Sequence, residues 1–427
     1  MLELSVVDVF AGAGGFSEGF RLAGYEVRAC VEIDKWAAQT LRRNFPKATI
    51  IEEDIRKVST REKVRALVGQ RPDVIIGGPP CQGFSMAGPV KNPNDPRNSL
   101  FNNFASWVDA LRPSVFVLEN VYGLLYRANE SGEQVIDVIR RTFQDLEYHV
   151  TVWQLNAAQY GVPQLRQRVF IVGSLAAPIE QPPRPTHYLP VAEGQLRFDA
   201  DLLPPVTVWD ALSDLPQISA GEGADVLPSY GMRASTPYQR WARRGSRKVY
   251  NHEAMKHTKR LVERFRLIQS GTALAEMEEQ YRVFRRGASG ELSAATYSSN
   301  YRHLRPGMVS YTIPASFYST FIHPTLPRNL TAREAARLQS FPDTYVFCGK
   351  RTQVSSKLLK SKGREDENYL SQYNQVGNAV PPLLSMAIAQ HVQAHIEQVM
   401  GTTCEVEMPA VQPELTLAAS GREEIAA

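Results

Sequence analysis

Between Leu4 and Val172 the chain carries seven short, β-rich runs that are apolar almost throughout, at residues 4–10, 27–31, 49–51, 73–76, 114–118, 150–155 and 168–172. A strand with one wet face alternates apolar and polar residues, whereas a continuous apolar run must be covered on both faces. Helical patterns fall between the early runs, at residues 17–23 and 35–44. Strand–helix alternation of this kind predicts an α/β fold built on a doubly wound, mostly parallel sheet.

Beyond the last run the pattern changes. Prolines crowd residues 177–205, which marks a boundary. Helices are expected at residues 256–269 and 273–284. Thr331-Ala-Arg-Glu334 has the spacing of a capping box, opening a helix that stops before Phe341-Pro342. Residues 350–368 are polar and lysine-rich and read as an exposed loop. Pro381 or Pro382 starts a final helix over 383–400. Residues 401–427, with five Glu and one Arg, read as a disordered tail.

With 427 residues, 43% of them apolar and 22% charged, the chain has ample material for a core and is neither disordered nor fibrous in composition. No apolar run approaches the ~18–20 residues needed to cross a bilayer. Met1-Leu2-Glu3-Leu4 lacks the basic region of a secretory signal, so a cytoplasmic protein is expected. Cys30, Cys81, Cys348 and Cys404 form no C-x-x-C pair and have no histidine at ligand spacing, so neither a disulfide framework nor a metal site is expected. The net charge of +4 says little, but its distribution says more: residues 233–305 hold 16 Lys or Arg against 6 Glu and no Asp. A basic segment of that size is the footprint of a polyanion-binding face.

Four segments carry chemistry. Phe10-Ala11-Gly12-Ala-Gly14-Gly15-Phe16 ends the first strand, where glycines let the backbone turn tightly and approach a ligand. Ser17 breaks the dinucleotide fingerprint, which argues against a pyrophosphate cofactor. Glu32 ends the second strand, placed to accept from ribose hydroxyls, and Asp54 follows the third, placed to receive an adenine amino group. Together they read as an adenosyl site without phosphate recognition. Gly77-Gly78-Pro79-Pro80-Cys81-Gln82-Gly83-Phe84-Ser85 follows the fourth strand. A free cysteine is usually a small buried hydrophobe, but such a residue needs no Gly-Gly-Pro-Pro frame, and Cys81 there is placed as a nucleophile. Glu119-Asn120-Val121 ends the fifth strand, where partial desolvation favours a carboxyl that shares a proton. Arg166 and Arg168 of Gln164-Leu-Arg-Gln-Arg168 point to one side of an extended segment and suit phosphate contact or charge stabilisation. For each of these charged groups the plain alternative is a surface salt bridge.

In their order these motifs resemble those of the cytosine-C5 DNA methyltransferases of the bacterial modification type. Two further stretches agree with that family: Arg328-Asn-Leu-Thr331-Ala-Arg333-Glu334-Ala-Ala-Arg337-Leu-Gln339-Ser-Phe341-Pro342-Asp343 and Gln375-Val-Gly377-Asn378-Ala379-Val380-Pro381-Pro382. The resemblance implies an S-adenosylmethionine-dependent methyltransferase fold. Its catalytic part would be discontinuous, residues 1–180 and 326–400, around a smaller target-recognition domain at 185–325, with the tail 401–427 outside. It implies Cys81 as the thiolate that adds to cytosine C6, and Glu119 as the group that holds the N3 edge. Arg166 would meet the base carbonyl or a flanking phosphate, and Arg168 would be a supporting cation. Cofactor contacts carry over to Phe10, Ala11, Gly12, Gly14, Glu32, Ile33, Asp54, Ile55, Pro79, Leu100, Asn378 and Ala379.

Substrate contacts are expected from Gln82, Gly83 and Ser85, and from the basic segment at Arg240, Arg243, Arg244, Arg285 and Arg302, with Arg247, Lys248, Arg286 and Arg305 beside them. The implied partner is double-stranded DNA with the target cytosine flipped out, with a companion restriction endonuclease and a monomeric enzyme. Residues 347–373 are longer and more lysine-rich than the family's usual connection and read as a solvated loop rather than a DNA-contacting insertion. Two other readings are open: RNA (tRNA) cytosine-5 methylation, against which the long basic segment argues, and a catalytically silent DNA-binding module, against which Cys81 and Glu119 argue.

Overall fold

The computed structural model describes residues 3–80, 100–128, 132–190, 201–274, 276–282, 301–352, 356–364 and 367–400. The strands of the main sheet are β1 (Ser5–Val9), β2 (Glu26–Glu32), β3 (Thr49–Glu52), β4 (Val74–Gly77), β5 (Val115–Val121), β6 (His149–Asn156) and β7 (Gln167–Ser174). They lie in the order β3-β2-β1-β4-β5-β7-β6. All neighbours pair in parallel except β7, which runs antiparallel between β5 and β6 and sets Val121 opposite Arg168. The expected mostly parallel sheet is therefore present.

Helices cover both of its faces, as the unbroken apolar runs require. They are α1 (Gly15–Leu22), α2 (Lys35–Asn44), α3 (Arg61–Val68), α4 (Leu100–Leu111) and α5 (Val135–Gln144). The later ones are α6 (Val208–Leu212), α7 (Pro237–Ala242), α8 (Lys259–Gln269), α9 (Ala332–Leu338), α10 (Ser356–Ser361), α11 (Gln372–Asn378) and α12 (Pro382–Val399). Successive strand residues feed opposite layers. Val6, Val74 and Val115 pack with Phe16 and Phe20 of α1 and with Leu384 and Ile388 of α12. Val7, Ile75 and Phe116 pack with Phe104 and Trp107 of α4 and Phe143 of α5. The last helix thus completes a layer begun by the first. Ser385 Oγ donates to the Phe16 carbonyl at 2.6 Å, across from Gly19, where any Cβ would stand 2.2 Å from that of Ser385.

Helix α9 joins the central stretch of the chain to this sheet. Thr331 and Glu334 form the expected capping box. Three arginines of this motif are buried, each satisfied by fixed acceptors. Arg328 grips Glu334 with two bonds of 2.8 and 2.7 Å. Arg333 donates to the carbonyls of Tyr250 and Pro342. Arg337 binds both oxygens of Asp343 at 2.6 Å and reaches Asp214 at 3.0 Å. Tyr230 also donates to Asp343, and the Tyr345 hydroxyl donates to the Ala13 carbonyl in the first glycine loop.

Two expectations fail. No helix spans 273–284: among the described residues there is only a single 3-10 turn, Glu279–Tyr281. The Arg264 guanidinium takes the Tyr281 and Arg282 carbonyls, which a continuing helix would have needed. The lysine-rich stretch is not a plain loop either. It contains α10, whose Leu359 is 2% exposed, and its Lys350 and Arg364 both pair with Glu367. The tail 401–427 lies outside the described residues.

Replacing Arg337 by Leu takes the main cation from two buried carboxylates, leaving Asp343 with Tyr230 and Arg333 and Asp214 with Arg243, so a loss of roughly 3 kcal/mol of stability is expected. Urea denaturation at neutral pH measures it, and a change within experimental error would show that the network is not what holds α9 in place.

Candidate functional site

The carboxyl ends of β1, β2, β4 and β5 open onto one cavity of about 870 Å³. Its first wall is the turn after β1. Phe10 and Gly12 both take left-handed backbone conformations, φ 67° and 55°, and the Ala11 N–H returns to the Val31 carbonyl at 3.0 Å. Gly15 is required by close approach, since a Cβ there would meet the Val380 carbonyl oxygen at 2.3 Å. This contact brings the last motif against the first.

Glu32 is the organising side chain at this end. One carboxylate oxygen accepts from the Gly12 N–H at 2.7 Å, and the other accepts from the Asp34 N–H at 2.8 Å. Burial pushes its pKa up to about 7. Asp8 lies behind it at 1% exposure, accepts from Ser17 Oγ at 2.5 Å, and is likewise pushed up to about 7 by burial. Ile33, 63% exposed, Ile55, Pro79 and Leu100 supply apolar wall.

Asp54 lines the cavity but is not a waiting acceptor. Its carboxylate caps the turn at Arg56 N and binds the Arg56 guanidinium, which holds its pKa below the usual range. Gly14 does not line the cavity at all. It caps α1, and a side chain there would strike Tyr345, Leu41 and Phe45.

At the other end stand Glu119, Arg166 and Arg168. The antiparallel β7 lays Arg168 along Glu119, Nε to Oε1 at 2.8 Å, with both side chains 15% exposed. Glu119, expected as a partly desolvated carboxyl, is thus one half of an ion pair with Arg168. Gly78, at the end of β4, passes close enough that a Cβ would sit 3.1 Å from Glu119 Oε2. Arg166 is 3% exposed; it donates to the carbonyls of Ile313 and Gly377, and its Nε has no hydrogen-bond partner among the described residues. Burial, with Arg168 beside it, pulls its pKa well below the ordinary guanidinium value. Asn378 and Ala379 close the cavity from the end of α11.

Cys81, Gln82, Gly83, Ser85, Arg285 and Arg286 lie outside the described residues. Of the remaining basic candidates, Arg240, Arg244, Arg247, Lys248, Arg302 and Arg305 are exposed. Arg243 is not a free cation: its guanidinium stacks 3.7 Å from the Tyr230 ring and donates to Asp214 and the Met232 carbonyl. It is a structural tie, unlike the exposed cations around it.

Sequence reasoning missed one wall. Residues 312–316 and Tyr318, expected in the recognition part, line the cavity instead. They are held by a backbone bond, Leu165 N–H to the Ser310 carbonyl at 2.8 Å, by the Thr312 hydroxyl, which donates to the Leu165 carbonyl at 2.6 Å, and by Gln164 Oε1, which accepts from Ile313 N. Bonds to backbone leave almost no mark in the sequence. Leu370, Asn374 and Gln375 were missed as well.

Comparison with known proteins agrees with this architecture. Residues 4–394 match the family model for the C-5 cytosine-specific DNA methylases. The chain is 42% identical over 396 residues to the type II methyltransferase M.DdeI of Desulfomicrobium norvegicum, covering 93% of this chain and 90% of that one. It is 33% identical to M1.HphI of Haemophilus parahaemolyticus, covering 92% and 87%. Among solved structures, a candidate DNA modification methyltransferase encoded within a prophage (E. coli) superposes with a TM-score of 0.66 at 24% identity, covering 92% of this chain and 99% of that one, a likeness of fold.

Asp8 and Glu32 bind protons more tightly in the folded chain than unfolded. Stability from them is complete below their ordinary carboxyl range and is lost as pH rises to about 7. The cofactor-free protein is expected to melt at lower temperature at pH 8 than at pH 5, with Asp8→Asn flattening that slope. Thermal melts across the range check it.

Proposed function

The chain belongs to the C-5 cytosine-specific DNA methylases, and we propose that it methylates a flipped-out cytosine within one short duplex sequence, with Cys81 as the nucleophile. The observation that supports this most is a single cavity with an adenosyl-type end at Glu32 and a base-type end at Glu119, Arg166 and Arg168.

The family's methyl donor is S-adenosyl-L-methionine, which when bound supplies an electrophilic methyl group. The residues at the Glu32 end fit it. Each Glu32 oxygen has made one bond to a backbone N–H and keeps a lone pair for a ribose hydroxyl. The apolar surface of Ile33, Ile55 and Leu100 suits an adenine face. The Asp54 carboxylate is already engaged, so adenine recognition falls more on these apolar walls than on Asp54.

In the reading proposed, Cys81 Sγ adds to C6 of cytosine, a bond that turns the electron-poor C5 into a nucleophile. Glu119, once protonated, meets the N3 edge and gives its proton there as charge builds on the ring, leaving a carboxylate that Arg168 stabilises. C5 takes the methyl group, leaving the donor as a neutral thioether; the C5 proton passes to solvent water, Glu119 takes back the N3 proton, and the C6–S bond breaks to restore the thiolate and the ring. Arg166 is too buried to serve a backbone phosphate, and its cavity-side position suits the base carbonyl. The exposed Arg240, Arg244 and Arg302 would hold phosphates, helping to offset the few kcal/mol of unstacking.

Residues 1–180 and 326–400 would form the catalytic part and 185–325 the target-recognition part. The enzyme would act as a monomer in the cytosol, beside the DNA, with a companion restriction endonuclease.

Base-resolution mapping of 5-methylcytosine in DNA from cells expressing the protein should show modification at one short motif, and none with Cys81→Ser. Labelling of tRNA but not DNA would refute the substrate. In single-turnover assays Glu119→Gln should lower the methyl-transfer rate by roughly 10²-fold or more without a matching loss of DNA affinity.

A further inference from the structure

Leu370 belongs to the lysine-rich region 347–373 before the last motif, and it lines the cavity. Its backbone is fixed from both sides. The Leu370 N–H donates to Asp34 Oδ2 at 2.7 Å, and its carbonyl accepts from Gln375 Nε2 at 2.8 Å. Gln375 is in turn held by Thr40, whose hydroxyl donates to Gln375 Oε1 at 2.6 Å.

Asp34 links this segment to the adenosyl end. Its backbone N–H holds Glu32 Oε1 at 2.8 Å, while its other carboxylate oxygen caps α2 at Trp36 and Ala37. One residue therefore orients the carboxylate read as the ribose acceptor and pins the half-buried Leu370 beside it. The flanks reinforce the arrangement. The Tyr369 ring packs on Trp36 at 5.6 Å, and Gly349 lies so close to Trp36 that a Cβ would come within 2.5 Å of its ring. The cations of the stretch are partly spent internally: Lys350 and Arg364 pair with Glu367, and Arg351 pairs with Glu253.

We propose that Leu370 is an apolar contact for the adenosyl moiety of bound S-adenosylmethionine, with Asp34 as the positioning residue that couples it to Glu32. The lysine-rich stretch thus serves the cofactor end of the cavity, and its role as a solvated loop is secondary. The inference rests on the cofactor reading of the Glu32 site. Leu370 enters the fold through its backbone N–H and carbonyl, so changing its side chain leaves both anchoring bonds in place.

The test is calorimetric titration of the full-length protein with S-adenosylmethionine, alongside DNA binding and thermal melts without cofactor. Leu370→Ala, and Leu370→Gln of similar volume, should weaken cofactor binding by roughly tenfold, while Leu370→Met stays within about threefold of the parent. DNA affinity and the cofactor-free melting temperature should stay unchanged for Leu370→Gln. Parent-like cofactor affinity in both Leu370→Ala and Leu370→Gln would overturn the contact. Absence of cofactor binding by the unaltered protein would overturn both the contact and the reading of the Glu32 site beneath it.

Discussion

Arg337 sits at 0% side-chain exposure between Asp343 and Asp214, and the joint it makes sets where the chain's central stretch lies on the sheet. A buried guanidinium is tolerable only when fixed oxygens replace its lost water. Here those oxygens come from three places: Asp343 just beyond α9, Asp214 just after α6, and the Ala211 carbonyl. The arrangement ties α9 to α6, because the two segments share the oxygens that satisfy one buried charge. Arg328 and Arg333 repeat the device toward Glu334, Tyr250 and Pro342. Through Tyr345, the same region reaches the Ala13 carbonyl, so the joint extends to the glycine turn of the cavity.

The sheet contributes the second constraint. Parallel strands bring their carboxyl ends to one edge, which is where ligand sites of open α/β sheets gather. One reversed strand, β7, then returns along β5 and lays Arg168 beside Glu119. Had β7 been parallel, its basic end would lie at the opposite edge. The C-terminal helix closes the arrangement from α1, with Gly15 and Gly19 small enough to let α11 and α12 approach.

Much of this was legible in the sequence, for physical reasons. Unbroken apolar runs announce doubly covered strands, and Lys35–Asn44 came out as the helix its pattern predicts because Asp34 caps it. The expected cavity residues, except Gly14 among those described, gather in one place: most sit at or just beyond the carboxyl end of a parallel strand, Arg166 and Arg168 come from the start of the reversed β7, and Asn378 and Ala379 come from the end of α11. What stayed hidden depends on partners distant in sequence. Arg243 and Arg264 count as positive charges in a composition, yet one stacks on Tyr230 and the other binds backbone carbonyls. The wall at 312–316 is recruited by bonds between one side chain and one main-chain group at Thr312, Ile313 and 164–165, and Leu370 is held by the Asp34 carboxylate; neither leaves a periodic signal. The pairing of Glu119 with Arg168 required knowing the direction of β7.

The central claim is that Cys81 forms a bond to C6 of the target cytosine during methylation. The most direct measurement uses duplex DNA in which cytosine is replaced by 5-fluorocytosine, incubated with the protein and S-adenosylmethionine, then digested for peptide mass spectrometry. Fluorine at C5 cannot leave as a proton does, so the adduct should persist. The account predicts a nucleotide adduct on the peptide bearing Cys81. Methyl transfer to ordinary DNA by the same preparation, with an adduct on another residue or on none, would contradict it.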